Sequence, residues 1–176
     1  MGIKLTSNNK KTIAAAVLAT LITGTGAYLV GNISGYEAKV LIKSSLPGIN
    51  TLCNTIVLAS ATILALLLTL LSISTSSKSK LKDEHYKHVL LIAKIDTVVF
   101  VSAMITFQVF NIPITEADNV PGNWYSTIYY ITLGVSSILS GALIGVVLML
   151  FNTVKSIINI IGLQKSDHPL VNADDE

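Results

Sequence analysis

The chain has 176 residues, of which 51% are apolar and 12% charged, with a mean hydropathy of +0.66, outside the range of ordinary soluble domains. A formal charge of +2 is too small for nucleic-acid binding, and the lone Cys53 excludes an internal disulfide, a paired-cysteine redox centre and a cysteine zinc cluster. Four apolar segments, at about 12–33, 52–74, 89–112 and 126–153, each approach the roughly 20 residues needed to cross a bilayer. The longest polar stretch between them, 75–88, is too short to fold alone, so residues 1–176 read as a single membrane domain with no soluble catalytic part. The segments are continuous apolar runs, not the alternating strands of about 10 residues that build outer-membrane barrels. The expected fold is therefore all-α, a four-helix integral membrane bundle.

Lysine placement sets the expected orientation, because the chain contains no arginine. Lys4, Lys10 and Lys11 precede the first span, Lys78, Lys80, Lys82 and Lys87 lie between the second and third, and Lys155 and Lys165 follow the fourth. Only Lys39 and Lys43 fall in loops on the other side. The positive-inside rule then places both termini in the cytoplasm. Abundant Ile, Asn, Lys and Ser without Arg suits an AT-rich bacterial genome, and with it the cytoplasmic membrane.

The opening MGIKLTSNNKK is a short polar lead. The apolar run after it is longer than a signal-peptide core and lacks an A-x-A cleavage site, which favours a retained first span. The match of Gly2 and Thr6 to a myristoylation pattern is a coincidence in a bacterial chain. Within the first span Ala15, Ala19, Thr23, Ala27 and Gly31 recur at every fourth position, a stripe along which another helix backbone can approach closely. The following loop, 34–50, contains YEAKVLIKSSLPG. Its Val40-Leu41-Ile42 suits a short interfacial helix, and Pro47-Gly48 is expected to break the chain before the second span.

The second span is leucine-rich and carries Asn54 near its start, one turn after Asn50, where a capping or interfacial hydrogen bond is the plain expectation. The basic linker STSSKSKLK then precedes Asp83-Glu84-His85-Tyr86-Lys87-His88. His85 and His88 share a helix face, but two histidines without a further ligand make a weak metal or pH-sensing site, and a solvated helix start explains them. No metal, cofactor or catalytic residue is assigned.

The third span holds the two intramembrane charges. Asp96 lies seven residues past Val89, roughly 10 Å inside, whereas Lys94 is shallower and its stem can reach the headgroups. At about 100° per residue the two point in nearly opposite directions. Lys94 aligns with Thr97, Val101, Ile105 and Gln108, and Asp96 with Val99, Ala103, Thr106 and Phe110. A carboxylate at the centre of a spanning helix costs roughly 2.5–3.5 kcal/mol on insertion scales. Asp96 therefore needs a partner from another helix, such as Lys155, or water or a proton. It could be a structural anchor, line a cation pathway, or couple transport to a proton.

Pro113, Pro121 and Gly122 mark a structured turn before the fourth span. Trp124, Tyr125, Tyr129 and Tyr130 then cluster where an aromatic interface belt is expected. Deeper in, Ser137, Gly141 and Gly145 repeat the four-residue small pattern, which makes the first and fourth spans natural packing partners. Residues 164–176 read as a disordered polar tail.

Intramembrane histidines for haem, a cysteine pair for disulfide exchange, and a serine with a base at matching depth are all missing, so the chain is not expected to be an enzyme. Small multidrug exporters carry a glutamate in the first span and tetraspanins a Cys-Cys-Gly loop motif, both absent here. The expected function is a homo-oligomeric channel or pore for ions or small solutes, with Asp96, Lys94, Gln108 and Asn54 as polar candidates. The alternative is a non-conducting scaffold or accessory subunit docking a partner membrane protein. A small transporter ranks third, without an evident repeat or broken-helix pair.

Overall fold

The computed structural model describes residues 7–28, 35–76, 83–113 and 121–159. Four helices account for nearly all of them: α1 Ser7–Tyr28, α2 Gly35–Ser76, α3 Asp83–Phe110 and α4 Gly122–Ile157. Tyr36–Ile73, His85–Phe110 and Trp124–Ile157 are each long and apolar enough to cross a membrane. The described part of α1, diluted by Thr12, Thr20, Thr23, Gly24, Thr25 and Gly26, does not reach the same apolarity.

In α2 the chain continues as helix through Pro47 for 42 residues, about 63 Å. This corrects the expectation of a break at Pro47-Gly48 and of a separate interfacial helix before it. Proline in a helix interior removes one backbone hydrogen bond and costs about 3 kcal/mol. Here the ring sits on the exposed side, and the apolar contacts run unbroken past it, with Ile42 and Ile49 buried on either side. Packing on both flanks overrides the local signal.

One pattern organises α2, α3 and α4. In α2 the buried positions Ile49, Cys53, Ile56, Ser60, Ile63 and Leu67 follow one another at alternating steps of four and three residues. His85, Val89, Ile92, Asp96, Val99 and Ala103 do the same in α3, as do Val146, Leu150, Thr153 and Ile157 in α4. A mean step of 3.5 residues is the coiled-coil period, which keeps one stripe facing its partners through a left-handed supercoil. The three stripes close into a single core containing Ile56, Ile63, Ile92, Val99, Leu139 and Val146.

Register follows from a few contacts. Ala38 and Ile42 cluster with Tyr125 and Tyr129, so α2 and α4 run parallel with their first residues nearly level. Asn50 Nδ2 donates to Asn111 Oδ1 at 3.1 Å, which places the end of α3 beside the middle of α2, antiparallel to it. Residues 35–49 of α2 and the first four turns of α4 therefore extend beyond the end of α3 as a two-helix stalk about 22 Å long. All the described charges of α2, Glu37, Lys39 and Lys43, lie in this stalk.

Among the described residues α1 packs on α4 and on no other helix. Asn152 Nδ2 donates to Thr12 Oγ1 at 3.1 Å. A side chain at Gly141 would collide with Thr20 Oγ1 and the Ala16 carbonyl, and one at Gly145 would meet Ala16 Cβ at 3.2 Å. The bundle is thus unequal, a three-helix core with α1 laid along the outer side of α4.

This close approach makes a graded prediction. Gly141→Ala should destabilise the fold by about 1–3 kcal/mol through overpacking and expose α1 to proteolysis, with Gly145→Ala milder. Adding Thr20→Ala to Gly141→Ala should restore part of the loss. Thermal unfolding in detergent, with protease digestion in parallel, measures both effects.

Candidate functional site

Helix α3 sorts its polar residues onto two faces. Asp96 occupies a core position with 0% exposure, between Ile92 and Val99. Lys94, Thr97, Val101, Ile105 and Gln108 are all exposed on the opposite side. Seven-residue spacing forces this, because a position that continues the 89, 92, 96, 99 stripe points inward whatever its chemistry.

Ser60 of α2, also 0% exposed, faces Asp96 closely enough to act on its carboxyl. The contact does not reach hydrogen-bond geometry: among the described residues, Ser60 Oγ and both carboxyl oxygens of Asp96 are buried without a hydrogen-bond partner. A buried polar group left without a hydrogen bond costs about 1–3 kcal/mol by mutational measures. Lys155 does not relieve it, for its side chain is exposed in the last turn of α4 and makes no hydrogen bond to Asp96. Asp96 is thus enclosed by the helices of the bundle.

The remaining polar candidates stay outside the core. Asn54 is exposed on α2, one turn beyond Asn50. Exposed threonines settle their own hydroxyls: Thr55 donates to the Thr51 carbonyl at 2.8 Å, Thr62 to Leu58 at 2.9 Å and Thr97 to Ala93 at 2.8 Å. A hydroxyl donated back to the carbonyl one turn earlier needs no outside acceptor.

The small-residue stripe of α1 meets α4 one position away from the expected one. The contacts run through Thr12, Ala16 and Thr20, while Ala15 and Ala19 lie half-buried at the flank and Thr23 is exposed. Gly31 and the side chain of Ala27 lie outside the described residues. On α4, Ser137, Gly141 and Gly145 are buried. Both stripes of α1 are small, and sequence offers no reason to choose between them. The hydrogen bond from Asn152 to Thr12 does.

The aromatic cluster divides. Trp124 is 63% exposed and Tyr130 42%, but Tyr125 and Tyr129 are buried against α2, with Lys39 Nζ 5.3 Å from the Tyr125 ring centre. Two of the four belt residues are therefore stalk core, because at alternating four- and three-residue steps they fall on the seam. His85 is likewise buried, edge-on to Tyr86 at 5.8 Å, which corrects the expectation of a solvated helix start. Among the described residues no three His, Cys, Asp or Glu side chains group as metal ligands. The tail 164–176 lies outside the described residues.

If Asp96 is a buried carboxyl without a partner, exchanging it for an apolar residue of similar size should raise stability. Asp96→Val is expected to unfold at a higher temperature, by about 1–3 kcal/mol in stability; a lower unfolding temperature would mean that the carboxyl is held by something stronger than Ser60. No known protein family, curated protein or solved structure matches this sequence.

Proposed function

We propose that the chain is a four-span protein of a bacterial cytoplasmic membrane, with both termini in the cytoplasm, that assembles with copies of itself into a channel for ions or small solutes and is not an enzyme. The membrane placement is supported by helix overlap. From the level of Asn111 to the end of α4, the four helices run side by side for about 20 residues, or roughly 30 Å, the thickness of bilayer hydrocarbon. On this reading α1 is the fourth span, its threonines tolerated because Thr20 and Thr23 bond to their own helix and Thr12 pairs with Asn152. The stalk carrying Glu37, Lys39 and Lys43 then stands outside the hydrocarbon, and the lysine-rich ends face the cytoplasm.

The single observation that carries the channel reading is that Lys94, Thr97 and Gln108 align on one exposed side of α3, with Val101 and Ile105 between them. A lipid-facing helix gains nothing from that alignment, whereas a helix turned toward a water-filled axis does. Because the exposed charge is Lys94 and Asp96 is sealed away, the pore should favour anions.

A non-conducting scaffold or accessory subunit is the second reading. It is favoured by the apolar surface outside this face, such as Leu58, Leu68, Ile138 and Phe151, all more than 60% exposed.

Planar-bilayer recording in asymmetric potassium chloride separates the two. The channel reading expects discrete openings with a reversal potential displaced toward chloride, displaced the other way by Lys94→Glu and unchanged by Asp96→Asn. Silence across a wide voltage and pH range would favour the scaffold.

A further inference from the structure

The apolar side chains packed between α2 and α4 group into two clusters. One fills the stalk and ends with Leu46 and Leu133; the other fills the bundle and begins with Leu52 and Val135. Ile49 carries the buried stripe of α2 across the junction and belongs to neither cluster. Helix α3 does not brace the stalk side of this junction, because it ends at Phe110, with Asn111 tied to Asn50.

Both helices carry their helix-weakening residues at that same junction. In α2 these are Pro47 and Gly48, and in α4 Gly134. The alignment set by Ala38, Ile42, Tyr125 and Tyr129, carried on at the same rise per residue, brings Pro47 level with Gly134. Pro47 has no N–H, so the Lys43 carbonyl loses its helical donor. Glycine holds a helix less firmly than any residue except proline. Packing does not call for it here: a Cβ at Gly48 or Gly134 would meet no packed neighbour within 4 Å, unlike one at Gly141 or Gly145. Just below, Asn50 Oδ1 and Ser136 Oγ are buried without a hydrogen-bond partner among the described residues.

We propose that Pro47-Gly48 and Gly134 form one hinge, on which the stalk swings as a unit relative to the bundle. A hinge is a few positions that absorb backbone rotation between two packed bodies, and here the bodies are the two clusters. The stalk moves whole because Tyr125 and Tyr129 pack its two helices together against Ala38 and Ile42. A weak point in α2 alone would be splinted by a stiff α4. Level weak points in both helices remove the splint. On the membrane reading above, the hinge stands at the outer boundary of the hydrocarbon, and its motion requires neither conduction nor self-assembly.

Pulsed-EPR distances in reconstituted vesicles test it. In a Cys53→Ser background, spin-label pairs are placed across the hinge (Tyr36→Cys with Val98→Cys), within the stalk (Val40→Cys with Ile131→Cys) and within the bundle (Leu58→Cys with Val147→Cys), all at exposed positions. Labelled chains are diluted with unlabelled ones, so that only distances within a chain are read. The distribution across the hinge should be at least about twice as wide as either internal one. Pro47→Ala, Gly48→Ala and Gly134→Ala together should narrow it to the internal width. The open space at each glycine admits the added methyl group, and unchanged internal distances verify the fold of this variant. A distribution across the hinge as narrow as the internal ones, or one whose width survives the three substitutions, would overturn the hinge. A broad distribution within the stalk would overturn motion as a unit, because its helices would then be moving separately.

Discussion

Seven-residue spacing along α2, α3 and α4 is the constraint from which most other features follow. Once the buried positions alternate by four and three residues, the direction of every other side chain on those helices is fixed to within a fraction of a turn. Asp96 and Ser60 fall on the stripe and are buried; Lys94, Asn54 and Gln108 fall off it and are exposed. The same rule takes Tyr125 and Tyr129 into the stalk core and leaves Trp124 and Tyr130 outside. It also carries the helix through Pro47, since the stripe has buried contacts on both sides of the ring.

Polar groups in the seam oppose stability. Ser60 and Asp96 occupy positions that Ile and Val fill elsewhere along the same stripes, and their side-chain oxygens lack hydrogen bonds among the described residues. The best-attested use of a polar residue in such a seam is to fix which partner and register a helix accepts, at a cost in stability. In an apolar solvent, where hydrophobic burial does little to distinguish one helix pairing from another, a register mark of that kind has particular value. The attachment of α1 uses different means. Small side chains let its backbone approach Gly141 and Gly145 closely, and the Thr12–Asn152 hydrogen bond sets its height.

Three long apolar segments, the helical nature of all four and the opposite faces of Lys94 and Asp96 were legible in the sequence, because continuous hydropathy and 100° spacing are strong local signals. Side-chain burial elsewhere was harder to read, since helices that are apolar all round show little contrast between a face turned to lipid and a face turned to protein. That is why the tyrosines read as a belt and His85 as solvated. The choice between the Ala15 and Ala16 stripes of α1 lay beyond the sequence for a related reason: both are small, and the deciding contact is with a residue 140 positions away. Pro47 misled because its local penalty is real and only tertiary packing outweighs it.

The proposed division of α2 into a stalk and a membrane span at the level of Asn50 is tested most directly by depth measurement. Spin labels placed singly along α2 in reconstituted vesicles report their relative exposure to oxygen, which concentrates in hydrocarbon, and to a water-soluble nickel chelate. Labels at Tyr36, Val40 and Ser44 should be reached mainly by the chelate, and those at Leu58, Ala65 and Leu68 mainly by oxygen, with the crossover near Asn50. A profile in which residues 36–49 lie as deep as 58–68 would contradict the account.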